Sequence, residues 1–205
     1  MVTEETFKRI ISGIIYIAIM WFGTCYSNYS KILLFTILGM LSMYEMFKLR
    51  KKRSKIIPFL YIIIPFIFIY KIPNKVILFM FILTWTFDTF AYLIGSKFGK
   101  NKILSFISPN KSWEGFFGGF ACTMIASYLT YKYFFNFESL KLPIIISISL
   151  PFTATIGDFI ASYYKRKAKV KDSSNFIPGH GGILDRMDAF MISIPIIYIL
   201  IQFIK

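Results

Sequence analysis

Long apolar blocks constrain the fold of this sequence more than any other feature. Hydrophobic residues make up 56% of the 205 residues. They gather in stretches, several of which approach the roughly 20 residues that a bilayer-spanning helix needs. The apolar blocks are 10–26, 32–47, 56–70, 76–95, 113–131, 142–162 and 183–204. We therefore predict an all-α fold, a polytopic integral membrane helical bundle with about seven transmembrane helices.

The distribution of basic residues predicts the orientation of this bundle. The net charge is +14, and a cytoplasmic N-terminus places most of the 24 basic residues on the cytoplasmic side, as the positive-inside rule requires. These residues lie in four segments: Lys8 with Arg9, 48–55, 96–112 and 163–182. We expect an uncleaved first span and a C-terminus on the opposite side. Because topology accounts for the positive charge, we expect the lipid bilayer as a partner and no nucleic acid.

Several common active-site patterns are absent. One histidine and two cysteines provide too few soft ligands for a structural zinc site. The segment 95–101 lacks one residue and the final Ser/Thr of a phosphate-binding P-loop, so we interpret it as a turn with basic flanks. The nucleophile motif G-x-S-x-G does not occur. Chemistry by metal-bound cysteine or by a serine nucleophile is therefore not expected.

Carboxylates are scarce in this chain, and four of them lie within or at the edge of the apolar blocks. In the predicted topology Asp88, Asp158, Asp185 and Asp188 reach the same depth on the cytoplasmic side. Four carboxylates at one place repel one another unless a cation neutralises them, and hard oxygen ligands favour Mg²⁺. We interpret Glu45, near the end of the second block, as an interfacial residue that the headgroup region hydrates.

The two loops beside these aspartates carry the opposite charge. Lysines and arginines fill 96–112 and 163–182, and the glycines Gly181 and Gly182 directly precede the last block. Glycines allow backbone N–H groups to approach a phosphate, and the N-terminus of a helix favours anions. The sequence therefore predicts a site for Mg²⁺ and a polyphosphate at one membrane surface.

The stretch from Ser162 to Asp188 resembles the signature of phosphatidate cytidylyltransferases, also called CDP-diacylglycerol synthases. The matching residues are Ser162, Lys165, Arg166, Lys171, Asp172, Ser174, Pro178, His180, Gly181, Gly182, Asp185, Arg186 and Asp188. Two further segments, 88–95 and 108–115, resemble the same family. Tyr164 and the pair Ser173-Ser174 depart from the usual residues. The chain is also shorter than typical members, and we expect it to lack one or two of their N-terminal helices.

This resemblance implies an enzyme that transfers the CMP part of CTP to phosphatidic acid, giving CDP-diacylglycerol and pyrophosphate. It implies Mg²⁺, held by Asp158 and Asp185, with an accompanying K⁺. It also implies a homodimer. The bias of the sequence toward Ile, Lys, Phe, Asn and Tyr indicates a bacterial protein, and the predicted topology places the active site on the cytoplasmic face of the inner membrane. On this view 1–75 are N-terminal transmembrane helices and 76–205 form the catalytic region.

The resemblance assigns roles to individual residues. The expected catalytic residues are Asp158, Lys165, Arg166, Lys171, Asp172, His180, Asp185, Arg186 and Asp188. The expected substrate-binding residues are Asp88, Ser108, Asn110, Lys111, Glu114, Ser162, Gly181 and Gly182. For His180, a phosphate contact and a structural hydrogen bond are both open.

Two other functions remain as alternatives. A CTP-dependent kinase of a polyprenol or dolichol would release CDP in place of pyrophosphate. A cation-coupled transporter would use the aspartates as an ion path, but such a path needs acidic residues toward the midplane, whereas these gather at one face.

Overall fold

Seven helices and one short β-hairpin make up the described part of the chain, which is residues 4–50, 56–135 and 137–204 of a computed structural model. The elements follow one another as α1 (Glu4–Cys25), α2 (Asn28–Arg50), α3 (Ile57–Ile69), α4 (Asn74–Phe98), β1 (Lys102–Leu104), β2 (Ser108–Ser112), α5 (Trp113–Tyr133), α6 (Lys141–Lys167) and α7 (Leu184–Ile204). The α6–α7 loop is residues 168–183. Each of the seven predicted apolar blocks forms one helix, so the helical prediction is confirmed.

Four of the described helices are long and apolar enough to cross a membrane, namely α2, α4, α6 and α7. Residues 11–25 of α1 and the whole of α3 are apolar but shorter. The count of seven transmembrane helices and the cytoplasmic N-terminus therefore stay predictions. Part of the basic run on which the orientation depends (Lys51, Lys52, Arg53 and Lys55) lies outside the described residues, as does Lys205.

A short hairpin between α4 and α5 is the one strand pairing within this otherwise helical part of the chain that the structure describes. Strands β1 and β2 pair antiparallel, with Lys102 opposite Ser112 and Leu104 opposite Ser108. The sequence predicted only a turn with basic flanks here, because a three-residue and a five-residue strand are too short for a clear alternating pattern. Ser112 then caps α5 by accepting a hydrogen bond from the Gly115 N–H at 3.2 Å. The hairpin therefore ends where α5 begins.

Helix α4 lies in the core of the bundle. All residues from 76 to 81 are buried, and Phe79 and Phe81 are fully enclosed. Its contact with α5 depends on small residues, since a Cβ atom on Gly119 would lie 2.9 Å from both the Ala91 Cβ and the Phe87 carbonyl oxygen. Small residues allow helices in a membrane to approach closely. This contact places α4, α5 and the hairpin side by side.

Helices α6 and α7 approach each other equally closely at Gly157. A Cβ atom there would overlap the backbone carbonyl of Asp188. Farther along the same contact, the hydroxyl groups of Thr153 and Ser193 form a buried hydrogen bond of 2.7 Å. Tyr61 of α3 donates to the Gly157 carbonyl at 2.9 Å. Because Asp158 directly follows Gly157, this crossing fixes the position of two aspartates relative to each other.

Candidate active site

A cavity of about 310 Å³ lies between α4, α5, α6, α7 and the hairpin. Four aspartates line it, although they come from three helices: Asp88, Asp158, Asp185 and Asp188. Its other walls include Lys111, Ser108 and Asn110 of the hairpin region and the apolar side chains Phe87 and Phe116. The predicted convergence of the four aspartates is therefore confirmed. The roles assigned to them individually stay predictions.

Asp158 contacts side chains of the hairpin, of α6 and of α7. It forms an ion pair with Lys111 of β2, and the Asp188 side chain of α7 lies close to it. Ser162, one turn later in α6, donates to Asp158 Oδ1 at 3.4 Å. Two carboxyl groups this close cannot both carry a full charge without a proton or a cation between them. The Asp158–Asp188 pair is thus suited to binding a cation.

Asp185 is held by four donors. Lys165 Nζ donates to its Oδ1 at 2.6 Å, and the Gly182 N–H donates to its Oδ2 at 2.9 Å. Ser173 donates to Oδ2 twice, with its backbone N–H at 2.8 Å and its hydroxyl at 2.9 Å. Asp185 therefore joins α6, the α6–α7 loop and the first turn of α7, in addition to lining the cavity.

The α6–α7 loop contains a tight turn that explains two of its glycines. Gly179 and Gly181 have φ angles of 73° and 83°, which other residues rarely adopt. The Ile177 N–H donates to the Gly181 carbonyl at 2.8 Å and closes the turn. Arg186 donates to the His180 carbonyl at 2.8 Å and 3.2 Å. Arg186 therefore holds the turn to the start of α7.

His180 makes a structural contact in this turn. Its Nδ1 lies 2.8 Å from the hydroxyl of Ser12, and Ser12 also donates to the Pro178 carbonyl at 2.9 Å. This geometry matches the structural alternative for His180, because both contacts hold the turn against α1. A contact between His180 and a phosphate stays a prediction.

Several other predicted site residues do not line the cavity, among them Glu114, Arg166, Lys171 and Asp172. Glu114 accepts from the Asn101 side chain at 2.8 Å and from its N–H at 3.1 Å, which fixes the start of the hairpin to α5. Arg166 is exposed and donates to the Val170 carbonyl at 3.0 Å. Lys171 and Asp172 are exposed in the loop. Their assigned roles in binding and catalysis stay predictions.

The interpretation of Glu45 as a hydrated interfacial residue is wrong. Glu45 is 0% exposed and accepts hydrogen bonds from the N–H groups of Ile183 and Leu184, each at 2.9 Å. The hydroxyls of Ser173 and Ser174 donate to it, each at 2.6 Å. The error arose because its position near a block end was compatible with the headgroup region, while its partners lie more than 120 residues away.

These contacts also change the expectation for Gly181 and Gly182. The sequence predicted that the backbone N–H groups before α7 approach a phosphate. The structure directs the N–H of Gly182 to Asp185, and those of Ile183 and Leu184 to Glu45. The first turn of α7 thus binds carboxylates of the chain itself.

Several residues that line the cavity have no role in the sequence prediction, among them Tyr92 and Thr155. Tyr92 lies one turn after Asp88 on α4, and Thr155 lies one turn before Asp158 on α6. The spacing of three or four residues from a selected aspartate is the signal that could have identified both, since it places residues on one helix face.

The residues present fit Mg²⁺ that is shared with a bound phosphate. In the part of the chain that the structure describes, no three acidic, histidine or cysteine side chains gather closely enough to enclose a metal ion. Mg²⁺ is commonly bound by one or two carboxylates together with substrate phosphates and water. The adjacent Asp158 and Asp188, with Asp185 and Asp88 on the same cavity, meet that requirement.

Comparison with known proteins identifies related sequences. Residues 71–204 match the cytidylyltransferase family. A phosphatidate cytidylyltransferase of Staphylococcus saprophyticus is 43% identical over 145 residues, which cover 69% of this chain and 55% of the relative. Enzymes of the same name from Staphylococcus epidermidis and Staphylococcus aureus are 39% and 41% identical over 144 and 145 residues, with the same coverages. The aligned part thus spans about half the length of these relatives.

Proposed function

This chain belongs to the cytidylyltransferase family, and we propose that it transfers the CMP part of CTP to phosphatidic acid, giving CDP-diacylglycerol and pyrophosphate. One observation carries the proposal: four aspartates from three helices line a single cavity together with Lys111. A cavity with this charge pattern is suited to bringing two phosphate-bearing molecules together. The apolar wall beside it is suited to the lipid part of one substrate.

The reaction joins two anions. An oxygen of the phosphatidate phosphate attacks the α-phosphorus of CTP, the bond from that phosphorus to the bridging oxygen breaks, and pyrophosphate leaves. The attacking phosphate is already ionised near neutral pH, so no general base is needed. The barrier comes from charge repulsion and from the charge that develops on the leaving group, which fixed positive groups lower.

Lysines of this chain would meet the phosphates. Lys111 and Lys165 are each paired with an aspartate of the cavity, so they are held in place before any substrate arrives. Preorganised charges of this kind need no rearrangement during the reaction. Arg166, Lys171 and Arg186 would add positive charge around the same phosphates.

We propose that Asp158 and Asp185 hold Mg²⁺, with Asp88 and Asp188 beside it and an accompanying K⁺. When bound, Mg²⁺ neutralises phosphate charge and aligns the two reacting groups. The aspartates would hold this cation at the cavity wall, and the hairpin residues Ser108 and Asn110 would close the cavity over the nucleotide.

The same proposal includes orientation and assembly. We propose seven membrane spans, a cytoplasmic N-terminus and an active site facing the cytoplasm in the inner membrane of a bacterium. Large apolar side chains are exposed on the outer faces of the helices, among them Ile14, Leu33 and Phe203, which supports a lipid-facing surface. We also propose that two copies form a homodimer.

The test is a turnover assay on detergent-purified, monodisperse protein with CTP and phosphatidic acid. We expect CDP-diacylglycerol and one pyrophosphate for each lipid product. A parallel reaction with a polyprenol in place of phosphatidic acid should give no product. Release of CDP with phosphorylation of the polyprenol would replace this proposal with the lipid kinase.

A further inference from the structure

Glu45 belongs to α2, and α2 lies before residue 71, where the match to the family begins. Among the described residues, however, its hydrogen-bond partners all lie in the α6–α7 loop and at the start of α7. We propose that Glu45 is a positioning residue for the active site. It holds the loop and the first turn of α7 so that Asp185 and Asp188 face the cavity. This inference rests on the proposed function, because it concerns how that site is assembled.

The first support is the burial of a charged group. Glu45 is 0% exposed on a helix whose neighbouring residues Tyr44 and Phe47 are 53% and 60% exposed. A buried carboxylate is strongly unfavourable unless hydrogen bonds or a counter-charge replace water. Within the described side chains, the two ion pairs join Lys111 to Asp158 and Lys165 to Asp185, and neither includes Glu45. Four neutral donors therefore stabilise this carboxylate.

The second support is the identity of those donors. The N–H groups of Ile183 and Leu184 lie at the start of α7, where backbone N–H groups have no partner within the helix. A carboxylate at this position also interacts favourably with the helix dipole. Glu45 thus caps α7 from a different helix. Asp185 and Asp188 follow within the next four residues, so the cap determines where the first turn of α7 begins.

The third support is a direct link to the cavity. The Ser173 hydroxyl lies 2.6 Å from Glu45 Oε2 and 2.9 Å from Asp185 Oδ2. One hydroxyl proton serves one of these carboxylates at a time, so the two compete for it. Asp185 keeps its position through Lys165 and two backbone N–H groups. Glu45 and Asp185 therefore hold the same loop residue from opposite sides.

The fourth support is Gly182. A Cβ atom at this position would overlap Ser173 Oγ and lie 2.5 Å and 2.7 Å from the two oxygens of Glu45. The contact between α2, the α6–α7 loop and α7 is so close at Gly182 that a methyl group would force Ser173 or Glu45 to move. Glycine at 182 is therefore explained by the approach of the Glu45 carboxylate, independently of any phosphate contact.

The experiment compares Glu45→Gln with Glu45→Asp and with the control Glu138→Gln, whose side chain is exposed outside the cavity. Glutamine places an NH₂ group against donors, whereas aspartate keeps two acceptor oxygens. Since a misplacement of about 1 Å can cost about a hundredfold in rate, we expect Glu45→Gln to lower turnover at saturating CTP by about that factor. Glu45→Asp should recover part of the loss, and Glu138→Gln should match the wild type.

A second readout separates positioning from loss of fold. Hydrogen–deuterium exchange of the resting protein should speed up in Glu45→Gln over 173–184 and stay unchanged in α4 and α5. If Glu45→Gln yields too little folded protein, Ser174→Ala replaces it in the experiment. This variant removes one of the four donors, so exchange over 173–184 should speed up to a smaller degree. Unchanged exchange in this segment, or faster exchange throughout the chain, would overturn the inference. The exchange result does not depend on activity, so failure of the proposed function would show separately as an inactive wild type.

Discussion

Lys165 and Asp185 form an ion pair of 2.6 Å between α6 and α7, and their side chains are 10% and 6% exposed. The pair lies directly behind the cavity that Asp185 lines. Each lysine at the site is thus matched to an aspartate, since Lys111 pairs with Asp158 in the same way. Both lysines are therefore fixed in position before the site meets a substrate.

Removal of one partner of this ion pair should destabilise the protein. Lys165→Met leaves Asp185 buried without its counter-charge, and breaking a buried pair typically costs about 3–5 kcal/mol. We expect a clearly lower melting temperature in detergent together with loss of turnover. Lys167→Met, on an exposed lysine of the same helix, is the matched control and should melt like the wild type. Equal melting of the two variants would show that the pair contributes no stability.

The aspartates Asp158 and Asp185 should act as one unit. Because both are proposed to hold the same cation, Asp158→Asn and Asp185→Asn should each reduce turnover at least about a thousandfold, which corresponds to about 4 kcal/mol in the barrier. The double variant should be scarcely slower than either single variant, since residues that act together are strongly non-additive. The measurement is the CTP and phosphatidate assay on monodisperse protein. Near-normal turnover of either single variant at saturating Mg²⁺ would contradict the shared cation.

Turnover should require Mg²⁺, and its loss on removal of Mg²⁺ should be reversible. EDTA should abolish turnover, and added Mg²⁺ should restore it, because four carboxylates and two phosphate-bearing substrates cannot share the cavity without positive charge. Measurement of the rate against free Mg²⁺ gives the requirement directly. Full activity in EDTA would remove Mg²⁺ from the mechanism.

The close approach of α6 and α7 should depend on Gly157. Gly157→Ala places a methyl group on the Asp188 carbonyl, which separates the helices and moves Asp158 away from Asp188. We expect lower thermal stability and at least tenfold lower turnover. A tenfold loss corresponds to an increase of about 1.4 kcal/mol in the activation barrier. Gly13→Ala is the control, because a Cβ atom there makes only an ordinary contact of 3.5 Å with the His180 ring. Wild-type behaviour of Gly157→Ala would show that the crossing can relax.

Reporter fusions should reveal the orientation of the bundle. A reporter after Lys100 should lie in the cytoplasm and one after Lys71 on the opposite side, because the basic asymmetry places them so. A reporter fused after Lys205 should also lie outside the cytoplasm if seven helices span the membrane. A cytoplasmic reporter at that last position would reduce the number of spans, and the short α3 is the first helix to reconsider.

The elements of this fold could be predicted well because hydropathy is a local property. Each apolar block became one helix, and the aspartates at the block ends were predicted to meet because residues at matching depths face one another in a bundle. The hairpin between α4 and α5 was missed, since two strands of three and five residues carry too little pattern. The fixed spacing of the motif from Ser162 to Asp188 was enough to indicate the family.

The sequence by itself thus determined the helices, the convergence of Asp88, Asp158, Asp185 and Asp188, and the family. Only the tertiary structure decided the partners of these residues: Lys165 with Asp185, Lys111 with Asp158, and Glu45 with the start of α7. The physical reason is that hydropathy reports how readily a residue leaves water, but not which distant group replaces the water. For Glu45 the replacement is a set of four donors beyond residue 170, which only the packing of α2 against the α6–α7 loop supplies.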